Sequence, residues 1–186
     1  MKNPASVAQG RAAKAAGAGF ELWLDAQHDA AKALGVLVHI AHNQPGVKLV
    51  GGRLIYTERS GCDYTGLLTP ETLFSHGRAL AAEAKSTTKR LSRKVIKKKQ
   101  VEQLDAVAKA GGVAMLLVEF RTGARRDRFA VPWLEVPWRV LRTAASIGLE
   151  DMRPEWAIQP GECYLKRGVQ VPAGTPGGRR RVFQRD

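Results

Sequence analysis

Residues 113–120 read VAMLLVEF, an almost unbroken apolar run of strand length. A strand that is apolar on both faces must be covered on both, so the chain has to place layers on either side of a central sheet. The flanking sequence offers the material. Residues 94–110 set Val95, Ile96, Val101, Leu104 and Val107 near one helical face, with Gly111-Gly112 as the stop. Residues 127–131 read as a hairpin partner for the run, and residues 133–147 as a further helix whose first part Pro137 makes irregular.

The N-terminal half alternates in the same way. Residues 19–34 fit a helix that Gly35 ends, and a strand follows at 36–41. Residues 43–62 hold two short β-prone pieces around Gly51-Gly52, the composition of a hairpin. DYTGLL starts another strand, Thr69-Pro70 marks a turn, and 78–85 is a strand candidate. Residues 1–17, small and basic without an acid, read as a flexible arm. The Pro-, Gly- and Arg-rich residues 151–186 read as an irregular or disordered extension. The predicted fold class is therefore α/β: one domain over about 18–150, with a mixed central β-sheet flanked by helices. A chain of 186 residues, 44% hydrophobic, suffices for one such core.

A formal net charge of +13 makes a polyanion the expected partner, and nucleic acid is favoured over membrane. No apolar run approaches the roughly 18–20 residues of a membrane span, and no hydrophobic signal region opens the chain, so a cytoplasmic protein is expected. AGAGF is not a dinucleotide fingerprint and no GK[ST] follows a glycine-rich loop, so no nucleotide cofactor is expected. Cys62 and Cys163 match no zinc spacing. His39 and His42 lie three apart in VLVHIAHN, where a strand points them to opposite faces; they read as a strand and a turn histidine, not a metal pair.

Chemistry concentrates around AEAKST, residues 82–87. From Lys85 to Lys99 there are eight Lys or Arg residues and no acid, yet Glu83 stands just upstream. In a strand Glu83 and Lys85 share a face, and if the strand beginning at Asp63 pairs with theirs, Asp63 and Glu83 converge. Two carboxylates and a backbone carbonyl form a hard oxygen site suited to Mg²⁺, with Mn²⁺ as a substitute. A solvent-facing, salt-bridged strand is the plain alternative for Glu-x-Lys by itself.

Asp, a gap and then Glu-x-Lys is the pattern of the PD-(D/E)xK nucleases, here with Cys62 before the aspartate in place of the proline. The order of GFE at 19–21, SGCDYTG at 60–66, AEAKST, KKQVEQL, GGVAMLLVEF and RFAVPW resembles the RecU-type Holliday junction resolvases over about residues 10–145. The resemblance implies a restriction-endonuclease-like fold with a β-hairpin stalk, here a short insert at about 44–60. It implies metal ligation by Asp63, Glu83 and the Ala84 carbonyl, with Lys85 at the phosphate or the attacking water. It also implies that Glu21 completes the acidic cluster from the first helix and that Gln100 closes the site. A homodimer acting on four-way or branched DNA follows, cutting opposed strands to 5′-phosphate and 3′-hydroxyl ends. Lys48, Arg53 and Tyr56 of the insert are expected to meet DNA, as are Lys89, Arg90, Arg93, Lys94, Lys97, Lys98 and Lys99. Another PD-(D/E)xK endonuclease of ordinary duplex, and a non-catalytic basic DNA-binding protein, are the rival readings. A phage or bacterial origin suits so small a chain.

Overall fold

The computed structural model describes residues 4–43, 47–50, 53–56, 61–69, 79–140 and 144–165. In chain order these form α1 (Pro4–Ala33), β1 (Leu37–His42), β2 (Val47–Val50), β3 (Arg53–Tyr56), β4 (Tyr64–Leu68), β5 (Ala79–Thr87), β6 (Leu91–Ser92), α2 (Lys98–Lys109), β7 (Val113–Thr122), β8 (Arg125–Pro132), α3 (Pro137–Val140) and β9 (Ser146–Ile147). Five of the strands make one mixed sheet in the order β1-β4-β5-β7-β8. All its pairings are antiparallel except β5 with β7. A parallel pair cannot be closed by a tight turn, and α2 makes the crossover. β2 and β3 pair separately as a hairpin of two four-residue strands.

The apolar run is β7, and every residue from Val113 to Phe120 is buried. Its alternate side chains enter two cores. Met115 and Leu117 pack with Phe20, Leu24 and Ala31 of α1, while Leu116 and Val118 pack with Leu104 of α2 and with Trp133. Both long helices stop the same way. Gly35 and Gly111 take left-handed φ of 69° and 74°, and paired bonds such as Val36 N–H to Ala31 O (2.9 Å) and Gly112 N–H to Val107 O (2.9 Å) satisfy the last carbonyls.

Four boundaries differ from the sequence expectation. α1 begins at Pro4, so residues 4–17 are helix and not an arm. α2 begins at Lys98; Arg93–Val95 is a separate 3₁₀ turn, and Val95 is exposed while Ile96 is buried. The helix expected over 133–147 is replaced by a 3₁₀ turn, the one-turn α3 starting at Pro137, and strand β9. The fixed φ and missing N–H of proline suit a helix start and forbid an interior position there. Beyond Asp151 the chain is packed, not loose, as far as Leu165: Ala157 bridges to Phe129, and Cys163, Tyr164 and Leu165 lie in the α1-side core. Residues 166–186 lie outside the described part.

If Leu165 closes that core, Leu165→Ala should lower unfolding stability by about 2–5 kcal/mol in urea denaturation. A tail residue without packing would change it by less than about 0.5 kcal/mol.

Candidate active site between β4 and β5

Tyr64 pairs with Ala82 across β4 and β5, and one more step of that register sets Asp63 opposite Glu83. The two side chains lace into each other's backbone. Asp63 N–H donates to Glu83 Oε2 at 3.1 Å, and Ala84 N–H donates to Asp63 Oδ2 at 3.0 Å. Both carboxylates are enclosed, Asp63 with 1% and Glu83 with 0% of its surface exposed. Ionised groups so placed must be paired or neutralised.

Lys85 supplies the pairing. Its Nζ reaches Glu83 Oε1, Asp63 Oδ2 at 3.5 Å and the Ala84 carbonyl oxygen at 3.0 Å. A single positive centre thus draws together the three oxygens that the sequence nominates as metal ligands. Among the described residues no three His, Cys, Asp or Glu side chains form a metal cluster. A divalent ion here would take two carboxylates and a carbonyl and keep its waters, the habit of Mg²⁺. The donor set is all oxygen and already converges on a cation, so the residues fit such an ion.

Gln100 enters from α2, where it is the third residue after the N-cap. Its Oε1 accepts the Lys97 N–H at 2.8 Å, which fixes the amide so that Nε2 donates to Glu83 Oε1 at 2.7 Å. Burial raises the Glu83 carboxyl, with the Asp63 charge adding to it and Lys85 opposing, to about 7. Burial, reinforced by Glu83 and Asp63, likewise pushes the Cys62 thiol up to about 12, so it remains a neutral packing group.

Glu21 stands on the other side of β4. Successive residues of a strand alternate faces, and Tyr64, next to Asp63, points toward α1. The Tyr64 hydroxyl donates to the Glu21 carbonyl at 3.2 Å, and the Glu21 carboxylate lies 3.4 Å from His42 Nε2. His42 also meets Asp25 at 3.1 Å through Nδ1 and stacks on Tyr64. It is the last residue of β1 and not a turn residue. His39 is exposed on the same strand. Nearby His28 is buried against the Tyr164 hydroxyl at 2.6 Å, and burial, aided by Lys32 and His42, lowers it to about 3.

Two supporting residues escape sequence reading. Gln103 Oε1 accepts the Cys62 N–H at 2.7 Å. Asn43 donates its N–H to Asp63 O at 2.7 Å and its side-chain amide to Cys62 O at 3.0 Å and Thr65 Oγ1 at 3.2 Å. The loop bearing Asp63 is therefore clamped from both α2 and β1. Gln103 follows Gln100 by three, a spacing that puts them on one helix face; nothing local marks Asn43.

The basic residues divide. Lys94, Lys97, Lys98 and Lys99 are exposed around the start of α2, as are Lys89 and Arg93 before it. Arg90 instead ties β9 to the following turn, pairing with Glu150 and with Asp151 (2.8 Å) and bonding Ser146 O (3.1 Å). The side chains of Lys48, Arg53 and Tyr56 on the hairpin lie outside the described residues.

The raised Glu83 carboxyl has a sign that can be checked. Between its ordinary 4.5 and about 7, the unfolded chain has released this proton while the folded chain keeps it, so stability falls as pH rises through that window. Urea denaturation in chelator from about pH 5 to about pH 8 should show this fall in the wild type and not in Glu83→Gln. In the same series Gln103→Ala, which orphans the Cys62 N–H, should be less stable by about 1–3 kcal/mol.

No curated protein matches the chain. The family description that does match is Recombination protein U, RecU, over residues 43–159, well over half of the 186. That span holds Asp63, Glu83, Ala84, Lys85 and Gln100 and leaves α1 with Glu21 outside it. The chain belongs to the RecU family, the RecU-type Holliday junction resolvases.

Proposed function

We propose that this chain is a Mg²⁺-dependent endonuclease that resolves four-way DNA junctions by paired, symmetric nicks leaving 5′-phosphate and 3′-hydroxyl ends. The observation that carries the proposal is the convergence of Asp63, Glu83 and the Ala84 carbonyl on one cationic centre, backed by Gln100. A divalent ion held by these oxygens supplies Lewis-acid activation of water and of the phosphate.

The protein's own groups do the rest. Gln100 holds Glu83 in one orientation, and the backbone N–H of Ala84 does so for Asp63. Lys85, with a flexible stem and a partly exposed head, neutralises charge on the scissile phosphate. Glu21, held by His42 on the α1 side of the sheet, is the remaining acid of the proposed set. Three lysines, 97, 98 and 99, crowd the N-terminal end of α2, where the helix dipole disfavours cations and the first turn holds no acid; Glu102, one turn on, lies 3.8 Å from Lys98. That placement is explained by an anionic partner; with Lys89, Arg93 and Lys94 they form the DNA track. Two opposed cuts need two sites, which a two-fold homodimer provides. A cytoplasmic setting and Mn²⁺ as a substitute complete the reading.

One observation favours a second reading. The hairpin strands have only four residues each, which suits a weaker grip on the junction centre and hence cleavage of ordinary duplex by the same site.

Labelled four-way junction, duplex and single strand, incubated with Mg²⁺ or with chelator, separate these readings. Wild type should nick the junction in preference and only with the metal. Asp63→Asn and Glu83→Gln should each be slower by more than about 100-fold, beyond the roughly 10–100-fold typical of a residue that merely supports a ligand. Unimpaired cutting by these variants sinks the site, equal cutting of duplex favours the second reading, and binding without nicking leaves a basic DNA-binding protein.

A further inference from the structure

A cleft of about 1000 Å³ lies along α2 on the flank away from Glu83. Lys98, Val101 and Glu102 line it, and at 3.6 residues per turn these project well away from Gln100. Its floor is apolar and firm: Ile96, Trp133 and Trp138 are each less than one-tenth exposed. The indole N–H of Trp133 in that floor is already engaged. Trp133 Nε1 donates to Asp105 Oδ1 at 2.6 Å, and the same oxygen meets Arg139 at 2.7 Å while the guanidinium lies over the Trp133 ring. The rim is cationic, with Arg93 and Lys94 beside Lys98; the acid among the lining residues, Glu102, is itself 3.8 Å from Lys98.

Cationic rim and apolar floor ask for different parts of one ligand. Stacked duplex would offer its phosphates to the rim and leave the floor uncovered, because its bases face inward. A nucleotide that has left the stack offers both a phosphate and an apolar base. The cleft is at the upper end of the roughly 300–1,000 Å³ of pockets that hold ligands of that size. It also shares the first two turns of α2 with the catalytic Gln100, so a strand passing the site would run past it. The geometry points to a binding site for one unpaired nucleotide, splayed from the DNA strand adjacent to the cut. This rests on the nuclease reading above and adds to it where the unstacked base goes. With the floor apolar and the Trp133 N–H already paired, the site holds a base chiefly through apolar contact and so tolerates any base.

The test uses the full chain in chelator, where the junction is bound and not cut, with 2-aminopurine placed in turn at each position within about three nucleotides of the nick. At one of those positions fluorescence should rise by about 2-fold or more on binding, as an unstacked base brightens. Val101→Trp, which fills the cleft, should abolish the rise while leaving junction affinity in gel shift within about 3-fold. Glu102→Trp, at an exposed position where folding is not at stake, should do the same by covering the mouth. No brightening at any position, or brightening that persists in both variants, overturns the proposal. Adding Mg²⁺ to the same wild-type samples reads the nuclease proposal separately: nicks without brightening sink the nucleotide site alone, and brightening without nicks sinks the nuclease reading alone.

Discussion

Two carboxylates, Asp63 and Glu83, are buried side by side, and the rest of the site is arranged to make that tolerable. Charge removed from water must be met by donors or by opposite charge. Here the donors are two backbone N–H groups, the Gln100 amide and the Lys85 ammonium. Each comes from a different constraint of the fold. The antiparallel register of β4 and β5 provides the backbone groups; the parallel step from β5 to β7 requires a crossover, and α2, which makes it, carries Gln100 to Glu83. The buried apolar β7, paired alongside β5, gives the arrangement a rigid backing.

The same sheet separates two sets of side chains. Asp63, Glu83 and Lys85 belong to the α2 side, whereas Tyr64, His42, Glu21 and Asp25 belong to the α1 side. The end of β1 joins them, His42 to the helix acids and Asn43 to the backbone on both sides of Asp63. A short segment at one edge strand therefore sets how the helix acids stand relative to the loop that carries Asp63.

Much of this was legible because it is local. Glu-x-Lys in a strand puts both groups on one face whatever the fold, an eight-residue, almost unbroken apolar run demands cover on both sides, and two short β-prone pieces so close in sequence are ready to pair, as β2 and β3 do. What was hidden depends on partners distant in sequence. Asn43 acts through the pairing of β1 with β4, and His42 through α1 and Tyr64. Residues 4–17 read as an arm because they are small and basic without an acid, yet their many alanines are the strongest helix formers. Cys163-Tyr164-Leu165 has no periodicity to betray it, and the Pro-, Gly- and Arg-rich composition around it masked three core residues. The start of α2 at Lys98 is set by the back-bond from Gln100, a capping signal without the usual Ser or Thr to announce it.

Lys85 rests its ammonium on the three oxygens that a divalent ion would use. The site is thereby held in shape by a charge the chain carries itself. The oxygens stand gathered in the folded chain before any further ligand arrives. In physical terms the ammonium is a tethered counter-ion, one that neither dilution nor a chelator can strip from the buried pair.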